Sequence, residues 1–166
     1  MRRRCEGILA GLDLPDAGDV RELCDVLAER QGRPIHLVAE HLPASSPCGL
    51  AVRTERFDVI FYEAGTSRLH QDHIIRHELG HLVCGHLTAP VLAAEASRLL
   101  LPDLDPSLVR AVLGRSGYSE VEEKEAEMIA SLLLRRSVLA RPPAGDGGTS
   151  PVLDRLHHTL IDPGRR

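Results

Sequence analysis

The chain has 166 residues, of which 43% are hydrophobic and 27% charged, a balance typical of one globular domain. A net charge of -4 and an isoelectric point near 6.1 argue against a primary nucleic-acid binder, which usually carries a basic face. Two Phe, two Tyr and no Trp also argue against recognition by base stacking. We therefore expect no direct contact with nucleic acid.

The start of the chain predicts no leader and no membrane anchor. The apolar run at positions 7–12 is bounded by Glu6 and Asp13, which makes it too short for a signal peptide or a membrane span. We expect a cytoplasmic protein, with a monomer as the default state. The cysteines lack the C-x-x-C spacing of structural zinc sites and redox pairs, so they are interpreted as buried free thiols: Cys5, Cys24, Cys48 and Cys84.

The N-terminal third predicts two helices. Ile8, Leu9 and Leu12 indicate a short first helix that ends near position 13. Asp19 is a suitable N-cap for the second, and Gly32 a suitable stop. Between them lies a stripe at helical spacing, formed by Val20, Leu23, Cys24, Leu27 and Ala28.

Three strand-like segments follow, at 35–40, 49–54 and 57–63, with a loop at 43–47. They predict a small antiparallel sheet, and with the helices an α+β fold. The last strand runs directly into the next helix, so it could offer an extended edge to which a peptide adds as another strand. The alternative is that positions 58–62 form a core strand, and the two are compatible.

The segment from Thr66 to His86 contains His77, Glu78 and His81 in the order H-E-x-x-H. Residues four apart lie on one helix face, so the two histidines can hold one cation while Glu78 reaches a water as general base. The five residues alone also occur by chance, but apolar neighbours predict a buried helix, in which a metal would satisfy the imidazoles. These neighbours are Ile74, Ile75, Leu79, Leu82 and Val83. Gly80 weakens a helix, which indicates that something packs closely there.

A catalytic zinc usually takes three protein ligands, so a third must be found. The pattern H-E-x-x-H-x-x-G-x-x-H would require glycine at position 84 and histidine at 87, where the chain has Cys84 and Leu87. That pattern fails, so neither His86 nor Cys84 is assigned a ligand role.

A later helix supplies the other candidates. Ser119 and Glu122 form a capping box, and Glu123 lies on a stripe of small and apolar residues: Ala126, Ile129, Ala130 and Leu133. The alanines would allow a close approach to the H-E-x-x-H helix. Glu125 is expected to be solvated, and Glu127 to hydrogen-bond a ligand histidine. The alternative is an ordinary acidic first turn favoured by the helix dipole, which accounts for Glu123 less well than for its neighbours.

The remaining segments carry weaker signals. Positions 88–101 and 106–113 are predicted to be helical, 141–151 a linker rich in Pro and Gly, and 152–161 a short helix with His157 and His158 exposed. We therefore expect a domain at 1–140 and a linker with a short tail at 141–166.

H-E-L-G-H at 77–81 and E-K-E-A-E-M-I-A-S-L-L from Glu123 resemble the ImmA/IrrE metallopeptidases, whose second motif runs E-x-x-A-[N/D]-x-F-A followed by leucines. The resemblance follows the order of elements over about positions 15–138. It implies a compact, gluzincin-like zincin with zinc on His77, His81 and Glu123, and Glu78 as base. It also implies a helix-turn-helix repressor as the protein that is cleaved or antagonised. Glu127 and Ile129 depart from the Asn/Asp and Phe of that motif.

Three functions remain open at this point. The first is a zinc endopeptidase, in which Glu78 takes a proton from water and delivers it to the leaving amine, with Tyr118 as a candidate for a second oxyanion donor. The second is a metal-containing regulatory module that binds a transcription factor without cutting it. The third is a purely structural zinc clip, which predicts no open coordination position and unfolding on chelation.

Overall fold

The computed structural model describes residues 1–14, 19–42, 47–54, 56–87 and 117–140, which form four helices and a three-stranded sheet. The predicted α+β class is confirmed at this level. The predicted helices at 88–101 and 106–113, the linker at 141–151 and the terminal helix with His157 and His158 lie outside these residues. No helix in the described ranges is long and apolar enough to cross a membrane.

Helices α1 (Arg2–Gly11) and α2 (Val20–Gln31) confirm the two predicted N-terminal helices. The Asp19 side chain accepts a hydrogen bond from the Arg21 N–H at 2.9 Å, and Gly32 ends α2 in the left-handed conformation that glycine adopts without strain. Helix α1 starts several residues before its apolar pattern. Its buried side chains are Cys5 and Leu9.

The sheet contains β1 (Ile35–Glu40), β2 (Gly49–Arg53) and β3 (Asp58–Glu63) in the order β1-β3-β2. Strand β2 is antiparallel to β3, but β1 is parallel to it. The prediction of an antiparallel sheet is therefore wrong for β1. The turn between β2 and β3 is short, so these two strands form a hairpin. The segment at 41–48 connects β1 to β2. It needs to cross only two strand spacings, about 10 Å, for β3 to lie between them.

Asp58 fixes this strand order. Its buried carboxylate accepts hydrogen bonds from Arg33 Nε at 2.8 Å and from Arg53 Nη2 at 3.1 Å, one residue just before β1 and the other at the end of β2. A charged group with no solvent exposure needs such partners, and β3 can provide them only if it lies between the other two strands.

The central position of β3 decides between the two interpretations of 58–62. It is a core strand, with both edges paired and Val59 to Tyr62 buried. The expectation that this strand offers a free edge is wrong. Among the described strands, the one that lies beside the following helix and keeps an unpaired edge is β2.

Helix α3 (Arg68–Cys84) is the element against which the others pack: α4 (Glu120–Ala140), the sheet, α2 and α1 all contact it. Ser67 caps its start by accepting from the His70 N–H at 3.3 Å, and Gly85 ends it in the left-handed conformation. Helix α4 begins with the predicted capping box: Glu122 accepts from the Ser119 N–H at 2.7 Å, and the Ser119 hydroxyl accepts from the Glu122 N–H at 3.3 Å.

Gly80 explains how α3 and α4 can pack so closely. A Cβ atom at this position would lie 2.7 Å from both Cα and O of Ala126, a distance that real Cβ atoms essentially never show. The close packing expected at Gly80 is confirmed, and so is the role of the small α4 residues in it.

The cysteine prediction holds in part. Cys5 and Cys24 are buried free thiols, whereas Cys48 is exposed and Cys84 half-buried. Cys48 lies in the turn that enters the edge strand, and Cys84 lies at the end of α3, so neither is covered by the core.

Candidate metal centre

Three predicted ligands converge between α3 and α4. The Nε2 atoms of His77 and His81 are 3.2 Å apart, and Oε2 of Glu123 lies 3.2 Å from His77 Nε2 and 3.9 Å from His81 Nε2. Three donor atoms from two helices thus face a common point, as a shared cation requires. Glu123 itself lies at the rim of the site, since its side chain is 48% exposed, and not within the buried stripe where the sequence pattern put it.

The environment of His81 keeps its imidazole neutral. The side chain is 1% exposed, and burial, together with the nearby His77 and His86, lowers its pKa to about 3. A neutral imidazole has one nitrogen with a free lone pair, which is the form that binds metals.

Glu78 lies beside the histidines on the side of the sheet. Burial raises its pKa to about 8, although the N–H of Ala51 on β2 donates to the carboxyl group. Oε2 of Glu78 is buried and has no hydrogen-bond partner among the described residues. A buried carboxyl oxygen without a partner is costly in a folded protein, and it is common at sites that bind an ion or act on a substrate.

Gly49 allows β2 to approach this carboxyl group. A Cβ atom at Gly49 would lie 2.8 Å from Oε1 of Glu78 and would also overlap the Ile74 side chain. The absence of a side chain here lets the edge strand lie directly against the helix that carries the three polar residues of the motif.

Glu127 is placed as expected for a residue that orients a ligand. Its Oε2 lies 3.5 Å from Nδ1 of His77 and 3.4 Å from Nε2 of His73. Nε2 of His77, by contrast, faces Glu123. The two nitrogens of His77 therefore face different carboxylates, one on the metal side and one behind it.

Tyr118 covers the other face of His81. The two rings stack with centroids 3.6 Å apart and an interplanar angle of 18°. The tyrosine hydroxyl is buried without a hydrogen-bond partner in the described parts of the chain, and burial raises the pKa of the phenol, so it stays protonated and able to donate.

These groups line a cleft of about 240 Å³ between the start of β2 and the α3–α4 pair. Besides the metal-binding candidates, its walls include Glu78, Tyr118, Gly49 and His73. The cleft is large enough for a short stretch of an extended peptide but not for a folded partner.

Two residues that the sequence argument set aside belong to the same neighbourhood. Glu125, expected to be solvated, is buried with 4% exposure, and His86, excluded as a ligand, lies against His81 with its Nδ1 atom 3.0 Å from that of His81. The prediction for Glu125 is wrong because it overlooked that this residue is four before the fully buried Ile129 and so lies on the buried face. That spacing is the sequence signal that could have identified it.

Comparison with known proteins does not assign the chain to a family. No protein-family model matches the chain, and no curated protein or solved structure matches it significantly.

Proposed function

We propose that this protein is a zinc-dependent endopeptidase of the ImmA/IrrE type, with zinc on His77, His81 and Glu123 and with Glu78 as general base. The observation that carries the proposal is the convergence of these four side chains in one cleft. The distances between the three donor atoms are 3.2, 3.2 and 3.9 Å, and all belong to side chains on two helices that pack against each other.

The residues present suit zinc. Two imidazoles and one carboxylate, with a side open to the cleft, are the donor set of known catalytic zinc sites. The unpartnered Oε2 of Glu78 and the neutral His81 both gain from a cation at this point. When bound, zinc supplies Lewis acidity: it polarises a carbonyl group and lowers the pKa of water to about 7.

Glu78 moves the proton in this proposal. Without metal, a pKa of about 8 leaves this carboxyl group mostly protonated at neutral pH; a cation beside it would lower the pKa, so that the group could accept a proton and then deliver it to the leaving amine. Its position next to the histidine pair, and not within the donor set, leaves the carboxyl group free for this task. The Tyr118 hydroxyl is the candidate donor to the carbonyl oxygen, because it is protonated, unpartnered and in the same cleft.

The start of β2, which lines the cleft, is where a peptide substrate would lie. Cys48 accepts from the Glu63 N–H and Thr54 donates to the Phe57 carbonyl, so the even-numbered residues of this strand pair with β3. The peptide groups of Gly49, Ala51 and Arg53 therefore face away from β3. The Ala51 N–H already donates to Glu78 and residues 49–52 are buried, so an extended substrate would add at the start of this edge, where Gly49 lines the cleft next to Glu78.

The partner and compartment in this proposal rest on the resemblance to the ImmA/IrrE family. The substrate is a regulatory protein, specifically a helix-turn-helix repressor, and the setting is the cytoplasm. The acidic net charge of -4 agrees with an enzyme that reaches DNA only through such a partner.

The test compares wild type with Glu78→Gln and with a matched control, Glu22→Gln, which removes an exposed carboxylate on α2 that does not line the cleft. Each zinc-loaded protein is incubated with a repressor encoded beside it and with a peptide library, and new termini are read by mass spectrometry. We expect new termini with wild type and Glu22→Gln and none with Glu78→Gln, which should still bind zinc. Equal cleavage by wild type and Glu78→Gln would eliminate the mechanism. A repressor that binds but is never shortened would instead support the non-cleaving regulatory module.

A further inference from the structure

A buried chain of polar contacts runs from His81 to the N-terminus. Nδ1 of His81 is 3.0 Å from Nδ1 of His86, and Nε2 of His86 is 3.2 Å from Oε2 of Glu125. Oε1 of Glu125 accepts a hydrogen bond from Arg4 Nη1 at 2.8 Å. The side chains of His86 and Glu125 are only 5% and 6% exposed, so water is excluded from the contact between them, whereas Arg4 at the outer end is 60% exposed.

The end of helix α3 builds this chain. Gly85 has φ 74° and ψ 28°, which turns the backbone back on the helix, and the His86 N–H then donates to the His81 carbonyl at 3.1 Å. The turn therefore brings the His86 ring beside His81, behind the face that carries Nε2. The contact depends on a glycine with positive φ one residue before the histidine.

The directions of these hydrogen bonds follow from Glu125, which Arg4 holds at the far end of the series of contacts. A carboxylate held by an arginine can only accept, so Nε2 of His86 must donate to Glu125. In a neutral imidazole the other nitrogen then accepts, so Nδ1 of His86 takes a hydrogen bond from Nδ1–H of His81. With His86 neutral, the proton of His81 thus lies on Nδ1, and its lone pair lies on Nε2.

We propose that Glu125 and His86 are positioning residues that hold His81 in the tautomer with a free lone pair on Nε2, the atom that faces His77 and Glu123. The consequence for zinc affinity rests on the proposed metal site, but the tautomer itself does not. The two residues act through His81 and contact neither metal nor substrate.

The same residues also form, with Cys84, a group whose ligand atoms lie within 4.8 Å of one another. A second metal there is disfavoured because both nitrogens of His86 and both oxygens of Glu125 already have partners, one of which is the Arg4 cation. It would also conflict with the first site. A metal on Nε2 of His86 puts the His86 proton on Nδ1, which forces the His81 proton onto Nε2 and removes that ligand.

Nuclear magnetic resonance of the metal-free protein tests the tautomer directly. Long-range ¹H–¹⁵N correlations of the histidine rings are compared in wild type, His86→Asn, His86→Phe and the distant control His36→Phe. We expect the Nδ1–H form of His81 in wild type, in His36→Phe and in His86→Asn, whose side-chain oxygen can replace Nδ1 as acceptor. His86→Phe should shift His81 toward the Nε2–H form. An Nε2–H form of His81 in wild type, or no change of its tautomer in His86→Phe, would overturn the proposed relay, that is, the hydrogen bonds from Glu125 through His86 to His81.

Glu125→Gln should reverse the direction of the hydrogen bonds between residue 125, His86 and His81 without removing a ring. This variant keeps the test decisive if His86→Phe does not fold. Arg4 takes the amide oxygen, so the amide NH₂ group donates to Nε2 of His86, and each proton in the chain moves to the opposite nitrogen. We expect the Nε2–H form of His81 in this variant. An unchanged Nδ1–H form would contradict the proposal.

Zinc affinity, measured by competition with a chromophoric chelator, gives the second readout. We expect His86→Phe and Glu125→Gln to bind zinc about 10- to 100-fold more weakly than wild type, the usual range for residues that orient metal ligands, with His86→Asn and His36→Phe close to wild type. Thermal unfolding of each variant separates this loss from a loss of folded protein. Two zinc ions in wild type and one in His86→Phe would overturn the relay in favour of a second metal site. A wild type that binds no zinc would refute the proposed function, and the tautomer measurement would still decide the relay.

Discussion

Gly80→Ala tests the link between helix packing and the metal centre. The added Cβ atom would lie 2.7 Å from Cα and O of Ala126, which are backbone atoms that cannot rotate away. Ala favours the helix by about 1 kcal/mol relative to Gly, whereas inserting a methyl group into a well-packed interface costs about 1–3 kcal/mol. We therefore expect a net loss of stability of up to about 2 kcal/mol.

The effect on metal binding should be larger than the effect on stability. To reach ordinary contact at 3.4 Å or more, α4 must move away from α3 by several tenths of an ångström. Glu123 moves with it, while ligand distances tolerate only about 0.2 Å. We expect zinc affinity to fall about 10-fold or more, within the range seen when ligand orientation is disturbed.

Gly7→Ala is the matched control, because it makes the same change inside helix α1 with no heavy atom within 4 Å of the new Cβ. Urea unfolding and zinc competition are measured for wild type and both variants. Gly7→Ala should stabilise the protein by about 1 kcal/mol and leave zinc affinity unchanged. If Gly80→Ala stabilises the protein as much as Gly7→Ala does and binds zinc equally well, the reasoning from the close approach is refuted.

Three further predictions concern charge and metal. Asp58→Asn should destabilise the protein by about 3–5 kcal/mol in urea unfolding, since it removes a buried charge that pairs with two arginines; a loss below about 1 kcal/mol would show that Asp58 does not fix the strand order. In metal-free protein the pKa of Glu78 is raised from 4.5 to about 8, so its contribution to stability is fully present below pH 4.5 and is lost as the pH rises through 8. His81, whose pKa is lowered from 6.5 to about 3, contributes stability above pH 6.5 that is lost as the pH falls through 3. Urea unfolding in EDTA across pH 4–9 should therefore show a loss of stability on the alkaline side, and Glu78→Gln should abolish this loss. An unchanged pH profile in this variant would contradict the raised pKa of Glu78. Chelation should abolish peptide cleavage but leave the far-ultraviolet circular dichroism spectrum unchanged, because apolar packing holds α3 and α4 together; unfolding on chelation would support the structural clip.

Local signals in the sequence were enough for the helices that carry the site. Asp19 and Ser119 cap α2 and α4 through hydrogen bonds to neighbours within three residues, so each is visible in a short window of sequence, and the H-E-x-x-H spacing with its apolar neighbours identifies α3. The close packing at Gly80 was also predictable, because a helix tolerates an internal glycine when a neighbour occupies the space of its side chain.

Strand order was not predictable in the same way. Alternation of apolar residues identifies a strand and its buried face but says nothing about its neighbours. The buried ion pairs of Asp58 with Arg33 and Arg53 determine the order, and these residues lie up to 25 positions apart in sequence. Strand β3 therefore lies in the centre of the sheet, whereas the sequence predicts a free edge there.

The site shows the same division between local and distant contacts. His77 and His81 follow from helix spacing alone, whereas Glu123 was chosen from its place on the stripe of small residues and from the resemblance, although its side chain is 48% exposed. Besides His81, the partners of His86 and Glu125 are each other and Arg4, which lies 121 positions away from Glu125. The spacing of Glu125 from Ile129 indicates that it is buried, but the neighbouring sequence does not indicate which partners it has there.

The division of the donor atoms between α3 and α4 has a consequence for synthesis on the ribosome. A nascent chain that has emerged only as far as position 118 contains both imidazoles but lacks Glu123, and it also lacks the alanine against which Gly80 packs. In the proposed enzyme, such an intermediate would have only two of the three zinc ligands, so peptide hydrolysis would begin only after the final described helix docks.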